Sequence, residues 1–147
     1  MRAQLTAAAT LVAGMGLLIV PRPVGAHHAF AAEFDGDKPV QFTATVTKLA
    51  LVNPHTWIYV DVKKADGTVE PWAIEAGSPN VLLRRGITRD VVKPGLQIVV
   101  DGYQAKDGTR RANGRNLTLP DGRQLFLGSS GTGAPYEVQR PGVDTDR

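Results

Sequence analysis

Gly77-Ser78-Pro79-Asn80-Val81-Leu82-Leu83-Arg84-Arg85-Gly86 is the stretch on which the fold turns. Ser78 suits an N-cap, since its hydroxyl can accept from an amide of the first helical turn. Pro79 suits the first helical position, where the missing N–H costs nothing and φ is already set. Gly86 suits the position just past the helix, where a left-handed residue closes the last carbonyls. Arg84 and Arg85 fall in the last turn, at the negative end of the dipole. The stretch therefore predicts one short helix that presents Val81, Leu82 and Leu83 as an apolar plug.

On both sides of that helix the hydrophobic period is two, the period of strands. Upstream, Val40 to Thr47 alternates apolar and polar without a miss, and Lys48 to Val52 continues it through a bulge or bend. Asn53-Pro54 turns the chain into a second strand, Thr56 to Lys63. There Trp57, Tyr59 and Asp61 point one way and Ile58, Val60 and Val62 the other, with His55 sharing the parity of Trp57. Ala65-Asp66-Gly67 is a hairpin turn. Thr68 to Ala76 is a third strand carrying Val69, Trp72 and Ile74, and Pro71 gives it an edge or bulged character. Downstream, Thr88 to Val92 reads as a further helical turn and Lys93-Pro94-Gly95 as a tight turn. Leu96 to Ala105 and Ala112 to Leu119 are the fourth and fifth strands, joined at Asp107-Gly108, and Gln124 to Leu127 is a short apolar piece. Three strands, a short helix and two strands is the order of an all-β, OB-like five-stranded barrel with its helix between strands 3 and 4. A plain antiparallel sandwich is the alternative, but it has no need of the capped helix.

The two ends differ in composition from this middle. Met1 to Ala26 has the form of a signal peptide: Arg2, an uncharged run of small and apolar residues, then Val24-Gly25-Ala26 as a small-x-small cleavage site. A membrane anchor is the competing interpretation, but the run is diluted by Ala, Gly and Thr and ends in Pro21-Arg22-Pro23. Cleavage leaves a domain over 27–127 and, from Gly128 to Arg147, a Gly-, Ser-, Pro- and charge-rich tail expected to be disordered. The chain has 17 basic and 14 acidic side chains, and losing Arg2 and Arg22 with the leader takes its net charge from +3 to +1. That balance offers no electrostatic case for a nucleic-acid partner. With no cysteine there is neither disulfide nor thiolate metal site. The expectation is a periplasmic or secreted domain with no stable membrane anchor after cleavage, and nothing in the sequence sets its oligomeric state.

Several local motifs stand along the chain: HHAF from His27, NPHTW from Asn53, GSPNVLLRRG from Gly77, KPG from Lys93, DGY from Asp101 and RANGRNLTLPDG from Arg111. In these motifs the chain resembles a family of exported bacterial proteins of unknown function, and the resemblance spans nearly all of the domain. It implies a periplasmic OB-like barrel and supplies no reaction.

Only three histidines occur, His27, His28 and His55. Cleavage after Ala26 would give His27 two nitrogens on one residue, its α-amine and its ring Nδ1, which chelate a single metal. An α-amine pKa of about 7.7–8.0 lets a metal compete for it at neutral pH. His55 would complete a three-nitrogen set, with His28 as a substitute or further ligand. A nitrogen-rich, near-planar set is what Cu(II) prefers, and copper heads the divalent affinity order. The arrangement resembles the histidine brace of exported copper proteins, with Glu33 or Asp35 to orient a ring and Trp57 and Phe30 to shield the site. The alternative function is a metal-free module that binds a small ligand or another exported protein through an aromatic face of Trp57, Tyr59 and Trp72. The arginines (Arg84, Arg85, Arg89 and Arg110, Arg111, Arg115) read as solvated surface. Catalysis is not expected: Ser78 is engaged as a cap, Ser129 and Ser130 lie in the tail, no nucleophile elbow occurs, and Glu70 and Glu75 fall on opposite faces of a strand.

Overall fold

The alternation of residues 56–63 is realised residue by residue: Thr56, Ile58, Val60 and Val62 are buried and the residues between them are not. The computed structural model describes residues 29–129 and 132–138. In chain order the elements are α1 (Ala29–Glu33), β1 (Phe34–Ala50), β2 (Thr56–Lys63), β3 (Val69–Ala76), α2 (Pro79–Arg84), β4 (Gln97–Ala105), β5 (Arg111–Thr118), β6 (Gln124–Phe126) and α3 (Pro135–Val138). Among the described residues no helix is long and apolar enough to cross a membrane.

The protein is mostly β. Its strands pair in the order β3-β2-β1-β4-β5-β6, and β3 also pairs with β5, so the first five close into a ring. The closing contact is parallel and short, running from Ala73 opposite Arg111 to Glu75 opposite Asn113. The other pairings are antiparallel. Because only the far half of β3 is used in closure, Pro71 lies in the half without a second neighbour, where its missing N–H removes no ladder bond. The bend expected after Thr47 is a register shift between Val46 and Lys48 in the β1–β2 ladder. It changes the parity of the strand: Ala44 and Val46 are buried before it and Leu49 after it.

The inside of the ring is filled by Val46, Ile58, Val60, Ile74, Ile98, Val100 and Leu117, all nearly or completely buried. Each such side chain contributes about 1.5–3 kcal/mol on burial. α2 adds to this core as the sequence implies, but with one residue where three were expected. Leu82 is fully buried, Val81 is half-buried and Leu83 is 43% exposed. A helix of one and a half turns can aim only a narrow stripe at the ring mouth. Ile87 and Val92, from the loop that follows, complete the closure. The Ser78 hydroxyl makes no capping bond; its carbonyl instead accepts from the amides of Val81 and Leu82, each at 3.1 Å. Gly86 takes φ +84° and lets the amides of Gly86 and Ile87 reach the carbonyls of Leu83 and Leu82.

Two expectations are corrected. The short piece after β5 is a sixth strand, paired through Leu117 opposite Leu125. The segment from Gly128 is also not wholly a free tail: Ala134 is fully buried and Tyr136 is 4% exposed. They join Phe30, Phe34, Tyr103 and Ala105 in a second apolar cluster outside the ring, with Phe126 against it. Phe30 meets Tyr103 edge-on at 5.6 Å between centroids and Phe126 meets Tyr136 at 5.4 Å. One aromatic in a Gly-rich run was enough to anchor it, because the outer faces of β4 and β1 supplied matching rings. The opening of the domain forms an arm, with Phe30 and Phe34 laid on the outside of the ring.

Candidate functional site

His55 stands one residue ahead of β2, and its Nδ1 lies 3.1 Å from Oε1 of Glu75 on β3. The β2–β3 ladder sets Trp57 opposite Glu75, so a histidine two residues before Trp57 is a diagonal neighbour of that carboxylate. Glu75 is in turn opposite Asn113 on β5, and Asn113 is opposite Tyr103 on β4. Directly opposed residues share a face, so Trp57, Glu75, Asn113 and Tyr103 make a transverse row on the outside of four strands.

Polar atoms along this row are joined. Asn113 Nδ2 donates to Glu75 Oε1 at 3.4 Å, and the Tyr136 hydroxyl donates to Asn113 Oδ1 at 3.1 Å. The aromatic cluster lies over the row, which is why Glu75 and Asn113 are only 8% and 6% exposed although they face away from the main core. At the open end His55 keeps 36% of its side-chain surface. Among the described residues no hydrogen bond involves its Nε2.

Burial pushes the Glu75 carboxyl up, and the charge of Glu33 on α1 adds to this, while His55 and Asn113 oppose it. Burial also pushes the Tyr136 phenol up. A carboxyl raised in this way holds its proton in the folded state at a pH where the unfolded chain has released it. Its contribution to stability is fullest below its ordinary value of 4.5 and is lost as the pH rises from there through the raised value. The stability of wild type relative to Glu75→Gln is therefore expected to fall as the pH rises through that window. Urea unfolding at a series of pH values measures it, and a flat or rising difference contradicts it.

The strand entry His55 thus sits where the sequence places it, on the side of Trp57. His27 and His28 lie outside the described residues. Among the described residues no group of three or more His, Asp or Glu side chains is gathered to hold a metal. Glu33 pairs with Arg111 at 3.6 Å, and Asp35 pairs with Lys38 at 3.6 Å. The aromatic face is divided by the register: Trp57 and Tyr59 lie outside the ring, whereas Trp72 is opposite Val60 on the inner side and packs on Phe42 at 4.9 Å. Trp72 stands three residues from Glu75, so strand parity puts it on the opposite face. Tyr59 is 37% exposed, with Lys48 Nζ 5.6 Å from its ring centre.

A family model described as a family of unknown function, DUF6152, matches residues 16–114. The chain belongs to that family. The DUF6152 match takes in all three histidines, Glu75 and Asn113, and stops short of α3 and Tyr136. No curated protein and no solved structure matches the chain significantly.

The arginines are less idle than solvated surface. Arg85 donates to the carbonyls of Phe126 and Gly128 at 3.3 and 2.6 Å, Arg89 donates to the Leu49 carbonyl at 3.2 Å, and Arg115 holds Asp101 at 2.6 Å. Sequence reasoning missed Glu75, Asn113 and Tyr136 as neighbours of His55. Glu75 could have been found by counting outward from the Asp66-Gly67 turn, since Lys63 opposite Val69 brings Trp57 opposite Glu75. Asn113 and Tyr136 carry no local signal, because their meeting depends on the ring closing.

Proposed function

We propose that this chain is an exported, periplasmic, non-enzymatic domain with an OB-like barrel, which binds Cu(II) through His27 and His55 with His28 at hand. The barrel assignment draws on the ring order, the parallel β3–β5 closure and the helix α2 between β3 and β4. The copper assignment is carried by one observation, the tethering of His55 at Nδ1 to the buried Glu75 carboxyl in a histidine that keeps 36% of its side-chain surface. Imidazoles that ligate metals are held this way, by an outer carboxylate on the nitrogen that does not bind.

The docking of α1 supports the same conclusion. Phe30 is packed on Tyr103, Lys106 Nζ donates to the Ala31 carbonyl at 2.6 Å, and the Glu33 charge acts on Glu75. The element that directly follows His27 and His28 is thus fastened on the face that bears the His55–Glu75 pair. The His27 α-amine with the imidazoles of His27, His55 and His28 would make a neutral nitrogen set of the kind that suits Cu(II), whose bound form would offer electron transfer or storage. The aromatic alternative is weakened by the inward position of Trp72.

Copper titration of protein that begins at His27, followed by EPR, tests this against the same protein with one extra residue in front. Tight one-to-one binding with a nitrogen-rich signal, lost in the extended form and weakened by His55→Ala, is the expected result. Equal and weak binding in both forms overturns it.

A further inference from the structure

The hydrogen bonds running from the C-terminal segment to His55 have a fixed polarity. A tyrosine hydroxyl next to an amide can donate to its oxygen, and the Asn113 amide must turn its NH2 toward a carboxylate, because the reverse would set oxygen against oxygen. Tyr136 therefore donates to Oδ1 at 3.1 Å and Nδ2 donates to Glu75 Oε1 at 3.4 Å. The same Oε1 lies 3.1 Å from Nδ1 of His55. A carboxylate oxygen accepts, so Nδ1 is the nitrogen that carries hydrogen, and in the neutral ring the lone pair is left on Nε2.

Each member of this chain is immobilised by something other than its neighbours in it. Tyr136 is buried against Tyr103 and Phe126, with centroids 6.4 and 5.4 Å away. Its segment is tied off by Glu137, which accepts from the amides of Thr132 and Gly133 at 3.0 Å each. Asn113 is held in two ladders at once, against β4 and β3. Glu75 is at the end of the parallel closure. A buried carboxylate under an aromatic roof is costly to the fold, and nothing in the ring topology requires one there.

We propose that Glu75, backed by Asn113 and by Tyr136 of the C-terminal strap, is a positioning residue that locks His55 in the Nδ1–H tautomer and presents Nε2 as the metal-binding nitrogen. This rests on the copper function proposed above and goes beyond it in one respect: the strap, well away from the histidines in sequence, is part of the site. An imidazole free to rotate and change tautomer would offer Nε2 only part of the time, and the ordering would have to be met on binding. The relay has met that cost in advance. Through Tyr136 it also makes the affinity of the site depend on whether the strap is seated.

The test has two readouts on protein that begins at His27. Nitrogen-15 NMR of the histidine rings in the metal-free state reports the tautomer of His55, assigned with His55→Ala. Titration with Cu(II) alone reports affinity. Wild type is expected to show Nδ1–H, Glu75→Gln to keep it, since the amide oxygen still accepts, and Glu75→Leu to lose it. Glu75→Leu should weaken copper about ten- to a hundredfold, the usual penalty for losing an outer-shell partner. Tyr136→Phe removes one hydroxyl without disturbing the packing and should weaken copper roughly two- to tenfold, the worth of one hydrogen bond. A wild-type His55 with hydrogen on Nε2 overturns the proposal whatever copper does. Unchanged affinity in both Glu75→Leu and Tyr136→Phe overturns it as well. If wild type binds no copper, the proposed function fails, and the tautomers of wild type and Glu75→Leu still decide whether Glu75 orients the ring.

Discussion

Leu82→Ala lowers the stability of the domain by about 2–5 kcal/mol, while Leu83→Ala, one residue along, changes it by less than about 0.5 kcal/mol. The two leucines are adjacent residues of the same short helix. Leu82 is fully buried at the mouth of the ring beside Ile87, and Leu83 is 43% exposed. Truncating Leu82 removes the transfer free energy of its methyl and methylene groups and leaves a void. Ring strands held by hydrogen bonds on both sides cannot relax to fill it. Urea unfolding of the two variants beside wild type measures the contrast. Similar losses for both would mean that α2 caps the ring as a whole surface and not through a single side chain.

Gly102→Ala costs about 1–3 kcal/mol or more, as for other forced insertions into packed structure, and under the proposed copper function it is expected to weaken Cu(II) binding too. Gly102 sits at the register shift of the β4–β5 ladder, opposite Gly114 and next to Asn113. A methyl group there would be driven into the Asn113 carbonyl oxygen and come within 3.1 Å of the Gly114 Cα. Both are backbone, so no side chain can swing aside, and β4 and β5 must separate at the residue that links Glu75 to Tyr136. A spectroscopic or calorimetric melt gives the stability, and Cu(II) titration of the folded fraction gives the affinity. A variant with lowered stability and wild-type affinity would show that the position of Asn113 does not reach the metal.

The strands were legible because their burial alternates. Val40 to Thr47 and Thr56 to Lys63 each carry the period-two pattern of a sheet with one wet face, and the second strand has the very bounds expected. The helix was legible from Pro79 and Gly86, whose backbone preferences are local. Its burial was not, since which of Val81, Leu82 and Leu83 enters the ring depends on the angle at which α2 crosses the mouth. Phe30 was legible as an apolar residue beside the histidines, but the cluster that covers it was not. Tyr136 was not, because a lone aromatic among Gly, Ser and Pro looks like a tail until the outer faces of β1 and β4 are known to offer Phe34 and Tyr103.

What the sequence determined by itself lies within the reach of a turn or a strand: the order of the first five strands and α2, the parity of Trp57 and His55, the Asp-Gly hairpins, and the restriction of imidazole ligands to three histidines. What only the tertiary structure decided is the surroundings of His55. Strand pairing brings Glu75 beside it, ring closure brings Asn113 to Glu75, and the returning C-terminal segment brings Tyr136 to Asn113. The three steps join residues 20, 38 and 23 positions apart along the chain. Local preference has no hold over such distances. They are set by the cross-strand register and by burial of a second apolar cluster, which exist only once the ring has formed.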